Sequence, residues 1–261
     1  YTCSKGGRKI YDIVFQVSNH DIAFKYRVYS QDNILCCIVK KEATGFMLPE
    51  GSTTFLCPQA APMGGFARTS PSYETSYTVD DVTGKNGWGN GYTFPCLFKN
   101  EDKGWILISE TGVSSAYCGS RLLGKENGLY TIGFPQEGEY NGNGTVSPGI
   151  ALPGETPWRT ITVGKTLAPI VETTVMFDVV KPLYEASQDF QYGCGTWSWI
   201  IGGDNSMNYD EQKRYIDFSA DMGYSSVLVD ALWDTQVGRD KIAELADYAA
   251  SKGVALYLWY N

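Results

Sequence analysis

The sequence has one histidine, His20, among 261 residues. A metal site built on several histidines is therefore excluded, and any Ser–His–Asp triad would have to use this one residue. His20 lies in Ser18-Asn19-His20-Asp21, where a polar turn residue is expected. There is no C-x-x-C pair, which disfavours zinc or thioredoxin-type chemistry. The seven cysteines are odd in number and irregular in spacing, so buried free thiols are expected rather than a disulfide framework. No run of Lys or Arg occurs, and 29 acidic against 21 basic residues give a net charge of −8. Both argue against a nucleic-acid partner. No apolar stretch reaches the roughly 20 residues of a membrane-spanning helix. The opening YTCSKGGRK carries no signal-peptide pattern and reads as if cut from a longer protein.

What is present is aromatic. Tyr, Phe and Trp make up 14% of the chain, with 18 tyrosines and 7 tryptophans. Aromatic faces pack on sugar rings and also fill sandwich cores, so composition leans only mildly towards carbohydrate. Residues 10–40 alternate like three strands, IYDIVFQVS, AFKYRVYS and NILCCIVKK, with turns at Asn19-His20-Asp21 and Gln31-Asp32-Asn33. Thr44–Leu56 reads as a short strand pair around Pro49-Glu50-Gly51. Residues 58–92 are irregular, and TFPCLFKN with KGWILISE reads as a hairpin. Further strands are expected at Gly128–Pro135 and Trp158–Gly164, with a short helix near Leu167–Glu172. Residues 1–182 thus read as an antiparallel β-sandwich, 183–190 as a linker and 191–261 as a separate α/β unit.

The last stretch reads strand, helix, strand, helix, strand. GTWSWI, SSVLVDALWD and VALYLWYN are the strands, repeating at about 30 residues, the length of a βαβ unit. Apolar runs without alternation predict strands covered on both faces. In the first helix Asn208 precedes Glu211 by three, a capping-box spacing, and Tyr215, Phe218 and Met222 are expected to face inwards. In the second helix Ile242, Leu245, Ala246, Ala249 and Ala250 form the expected apolar face. Gly223 and Gly253 fall where left-handed caps are expected. A doubly wound sheet gives the same pattern as an opening (β/α)8 barrel, but no glycine fingerprint follows Gly195.

The order of these parts, with Asp21–Arg27, Ile106–Glu110, Thr156-Pro157-Trp158-Arg159, Tyr224–Trp233 and Asp240–Asn261, resembles glycoside hydrolase family 97. The resemblance implies an N-terminal β-supersandwich followed by the first three strands of a (β/α)8 barrel. It implies a fragment of a bacterial, calcium-dependent, exo-acting α-glycosidase of the periplasm or cell exterior. Such an enzyme releases terminal glucose or galactose from an oligosaccharide. Two positions depart from the family pattern. Ser198 stands between Trp197 and Trp199 where an acid is usual, and Asp230-Ala231-Leu232-Trp233 replaces acid-Glu-Gly-Trp.

Glycoside hydrolysis uses two carboxyl groups, which the resemblance puts on later barrel strands, so no catalytic residue is expected among these 261. The resemblance makes Glu110 a calcium ligand from the sandwich. Calcium takes six to eight oxygens, and a strand-end carboxylate can supply one or two. Trp197, Trp199, Asp230, Trp233, Trp259 and Asn261 fall at C-terminal strand ends, the active face of (β/α)8 enzymes, and are the candidate sugar contacts, with Asp234 beside them. Glu74, in the irregular stretch, is a lesser candidate. Two other readings stay open: a non-catalytic carbohydrate-binding module, and a different (β/α)8 glycosidase.

Overall fold

The alternation of the first strands becomes a hairpin in which Arg8–Val17 pairs antiparallel with Asp21–Val28, Val17 opposite Ile22. A computed structural model of the chain describes all residues except 59–77, 81–84, 87–88, 138–144, 188, 190–191 and 261. Glu74 and Asn261 therefore lie outside the described residues. The chain divides into two units, Tyr1–Leu183 and Tyr184–Asn261.

In the first unit, twelve strands among the described residues join in one sheet whose strand pairs run antiparallel. Its centre is the expected hairpin, Tyr92–Asn100 with Gly104–Thr111, and the latter pairs in turn with Trp158–Gly164. The sheet doubles back on itself. Phe24 on a strand from one half touches Phe46 on the last strand of the other half, at 6.5 Å between ring centroids. Phe98, Ile108, Leu122 and Tyr130 fill the space between. Residues of even number on Gly104–Thr111 face this core, since Ile106 and Ile108 pack there. Residues of odd number face outwards, where the short helices Ala168–Glu172 and Val175–Asp178 cover part of the sheet.

Three expectations are corrected in this unit. NILCCIVKK yields only Cys36–Ile38, paired with Gly149–Ala151 apart from the large sheet. Ile34, Leu35 and Ile38 are exposed, so no apolar layer holds a longer strand. Gly45–Met47 and Ser52–Pro58 both form but pair with different partners, Leu129–Gly133 and Tyr92–Asn100. None of the seven cysteines is in a disulfide, yet only Cys96 is buried, while Cys36 and, in the second unit, Cys194 are exposed.

The second unit holds Gly195–Trp197, Ser226–Val229 and Ala255–Leu258 as a parallel sheet in sequence order. Helices Tyr209–Asp221 and Arg239–Ser251 connect them. Asn208 caps the first helix, its Oδ1 accepting from Glu211 N at 2.9 Å, while Glu211 itself turns to Arg214. Gly223 and Gly253 end the helices at φ of 69° and 75°.

The inner face of the first helix is not the one expected. Gln212, Ile216 and Ser219 are buried, whereas Phe218 and Met222 are about half exposed. The small Ser219 lets the helix approach the strands closely, where its hydroxyl bonds Thr196 Oγ1 at 2.7 Å. In the second helix Ile242, Leu245 and Ala249 are buried and Ala250 is exposed. Both helices share one core with Val227 and Val229, so they cover the same face of the sheet. Consecutive right-handed crossovers require this. The opposite face carries Trp197, Leu228 and Tyr257 in register, and of these Tyr257 is 47% exposed.

Candidate functional site

Each unit carries its own cluster of chemistry-bearing side chains. In the first, Glu110 is on the core side near the end of its strand, directly across from Arg159. Arg159 is fully buried. Its Nε and Nη2 bond the two oxygens of Glu42 at 3.0 and 2.6 Å, a bidentate pair. Its Nη1 bonds Glu110 Oε2 and, at 2.9 Å, Ser120 Oγ. Ser120 donates from its backbone N to Glu110 Oε1 at 2.8 Å and from its hydroxyl to Oε2 at 2.6 Å. Glu42 also accepts from Tyr117 OH at 3.1 Å and Thr44 Oγ1 at 2.7 Å.

Burial opposes the Arg159 charge, but the hydrogen bonds and charge of Glu42, with the charge of Glu110, outweigh it and hold the guanidinium above its ordinary pKa. Burial pushes the Tyr117 hydroxyl up, and Glu42 pushes it further. Tyr117 therefore stays a neutral donor.

Glu110 is tested here as a calcium ligand. Oε2 already accepts twice and Oε1 once, so one Oε1 lone pair remains. Glu42 and Glu110 together exceed Arg159 by one formal negative charge. The donor set suits one oxygen to a hard cation and no more. Among the described residues, no three His, Cys, Asp or Glu side chains gather as a metal group.

The second unit carries an indole stack. Trp197 lies nearly parallel to Trp199, with centroids 5.6 Å apart at 19°, and to Trp259, 6.1 Å apart at 11°. Trp197 Nε1 donates to Asp230 Oδ2 at 2.6 Å, and Asp230 Oδ1 accepts from Ala231 N at 2.6 Å. Asp230 is thus a buried clamp that fixes the central indole, and both of its oxygens are engaged. Trp199 is not on the strand, as its alternation with Trp197 had predicted. The strand ends at Trp197 and Trp199 opens the short helix Trp199–Gly202, where its Nε1 bonds Asp204 Oδ1 at 3.0 Å. Trp259 stays 41% exposed.

Trp233 does not join the stack. It is 6% exposed, packs in the unit's core and donates to Trp259 O at 3.1 Å, which offers a sugar no free face. The reason is local. Leu232 takes a left-handed φ of 71°, rare for a branched side chain, and starts a π-helix over Trp233–Val237 that turns the indole inwards. Asp234 is exposed at the start of the same π-helix.

Glu42 is not legible in the sequence, because nothing in Lys41-Glu42-Ala43 distinguishes it from a surface acid, and Arg159 stands out only as part of Thr156-Pro157-Trp158-Arg159. A fully buried arginine across from a strand-end glutamate is visible only once register is known.

The fold class is thus an antiparallel sandwich followed in the chain by a parallel β-α-β-α-β unit. A family profile described as glycosyl-hydrolase 97 N-terminal matches residues 1–182. The chain belongs to glycoside hydrolase family 97. Its structure is similar to a crystal structure of a β-arabinopyranosidase, at TM-score 0.87 and 54% identity over 97% of this chain and 41% of that one. A family 97 enzyme from Pseudoalteromonas sp. strain K8, solved with panose, shares the fold at TM-score 0.68 and 24% identity, over 94% of this chain and 39% of that one. A probable retaining α-galactosidase of Streptomyces bingchenggensis is 28% identical over 98% of this chain and 38% of its own length. The chain spans about two fifths of the length of these relatives.

Proposed function

We propose that the protein to which this chain belongs is an exo-acting glycosidase that removes a terminal pyranose of galacto configuration, as an α-galactoside or a β-arabinopyranoside. These two sugars share the arrangement of their ring hydroxyls and differ by one hydroxymethyl group. The observation that carries the reading is the clamped indole stack of Trp197, Trp199 and Trp259 at the C-terminal strand ends, in a chain 54% identical to a β-arabinopyranosidase. The apolar face of a pyranose packs against an indole, and Asp230 holds the central ring in place. Glucosides are the less favoured substrates, because the relative solved with panose is only 24% identical.

The three parallel strands belong to a (β/α)8 barrel. In support, both helices cover one face while Trp197, Leu228 and Tyr257 share the other, as strands lining a barrel interior do. The carboxyl groups that carry hydrolysis lie outside these 261 residues. Calcium takes part, with Glu110 lending one Oε1 lone pair while Arg159 and Ser120 fix the carboxylate. When bound, the ion would polarise substrate oxygens as a Lewis acid. The protein works in the bacterial periplasm or outside the cell, which fractionation of the native host tests.

Hydrolysis of p-nitrophenyl α-galactoside, β-arabinopyranoside and α-glucoside by the full-length protein, with and without EDTA, tests the activity. The expected result is cleavage of the first two, abolished by chelation. Preference for the glucoside, or indifference to EDTA, refutes the corresponding part. Glu110→Gln is expected to raise the calcium concentration for half-activation about tenfold, near 1.4 kcal/mol. An unchanged calcium titration removes Glu110 from the site.

A further inference from the structure

A pocket of about 550 Å3 opens in the first unit, around the start of the Gly104–Thr111 strand. Glu110 is six positions along the strand from Gly104, so the pocket lies roughly 20 Å from the carboxylate cluster. Its volume falls within the roughly 300–1,000 Å3 of small-molecule sites. His20, Asn100, Lys103, Trp105, Lys165 and Pro169 give it its chemistry.

Two features set the ligand. First, no carboxylate is among the described residues that line it, while Lys103 and Lys165 do, in a chain of net charge −8. The neighbouring acids leave this charge largely uncompensated. Asp21 accepts from Thr162, Thr173 and Ser18, and Glu101 stands 4.0 Å from Lys103 with both side chains exposed, a weak pair. Secondly, Trp105 forms an apolar wall on the outer face of the sheet. Across from it Gly164 has no side chain, and a Cβ there would come within 2.7 Å of Thr166 O and 2.9 Å of Pro169 Cγ. The Thr166–Pro169 turn can therefore close in beside the indole.

We propose that this pocket is a second, non-catalytic saccharide site that takes an acidic sugar residue. The acid group, a uronate carboxylate or a sulfate ester, meets Lys103 and Lys165, and the ring lies along Trp105. A bare inorganic sulfate would use only the lysines, since it has no apolar face for the indole. The saccharide class rests on the glycoside hydrolase reading; the charge and the apolar wall rest on the pocket alone. The site would hold a charged polysaccharide while its neutral terminal residues are removed elsewhere.

Calorimetry of the full-length protein with trigalacturonate, a sulfated galactotriose, neutral galactotriose and inorganic sulfate tests this. At least one acidic trisaccharide should bind at least tenfold more tightly than the neutral one, and the preferred arm names the acid group. The exposed-lysine double variant Lys103→Gln/Lys165→Gln should lose that preference and keep the parent's melting temperature and its hydrolysis of p-nitrophenyl α-galactoside. Trp105→Phe should retain part of the binding. Equal binding of acidic and neutral trisaccharides, an unaltered double variant, or sulfate competing as strongly as the trisaccharide would overturn the proposal. Because binding is read separately from hydrolysis, an inactive protein that binds the acidic trisaccharide contradicts only the glycosidase reading, and an active one that does not bind it contradicts only this one.

Discussion

The two clusters are organised by opposite physics. In the sandwich unit a fully buried guanidinium holds two carboxylates, and almost every lone pair in reach is used. Such a cluster is rigid because each member is costly to leave unpaired in a low-dielectric interior. In the second unit three indoles stand face to face, with one edge of the stack still open to solvent. There a single charged hydrogen bond, from Trp197 to Asp230, fixes an otherwise apolar surface. The first arrangement positions a carboxylate; the second presents faces. The two kinds of element stand on separate parts of one chain.

The contrast can be broken at its strongest point. Arg159→Met leaves Glu42 and Glu110 buried without their cation and should destabilise the chain by about 3–5 kcal/mol, read as a lower urea midpoint. Adding Glu42→Gln and Glu110→Gln to that variant should recover a large part of the loss. If the triple variant is no more stable than Arg159→Met, the arginine acts through packing and not through charge.

A smaller effect is expected in the indole stack. Trp197→Ala removes two stacked contacts, each worth roughly 0.5–1.5 kcal/mol, from a half-exposed site. Stability should fall by about 1–3 kcal/mol, less than for Arg159→Met, and KM for the terminal glycoside should rise about tenfold with a smaller change in kcat. Equal or greater loss of stability than in the sandwich would reverse the comparison.

The smallest effect lies on the surface of the second unit. Hydrogen bonds from Lys252 and Tyr248 hold Asp217 down to about 2, against an ordinary 3.8. A depressed carboxylate adds stability above its unfolded pKa and loses it as pH falls through its folded one. Its contribution should thus be full above pH 4 and vanish towards pH 2. Asp217→Asn should flatten the stability profile in that window alone, and a difference that persisted unchanged at pH 2 would count against the linkage.

Much of this was legible in the residues. The Tyr92–Asn100 and Gly104–Thr111 hairpin, the Asn208 cap, and the glycines at 223 and 253 follow from local rules of alternation, capping and left-handed turns. The indoles of Trp197 and Trp259 could be placed at strand ends by counting. What failed was whatever depended on neighbours far away in sequence. The inner face of Tyr209–Asp221 turned on how closely Ser219 could approach Thr196, which no periodicity within the helix reveals. Trp233 looked like Trp197 in sequence but was turned into the core by the left-handed Leu232 and the π-helix after it.

Most element types, the order of sandwich before α/β unit, and the family were set by local patterning repeated along the chain. Only the tertiary structure decided that Glu110 is held by a buried arginine shared with Glu42, residues 68 and 117 positions from Glu42 in the chain. It also decided which tryptophans share a wall. Register and burial fix those partnerships, and both arise from contacts between strands that the chain separates widely.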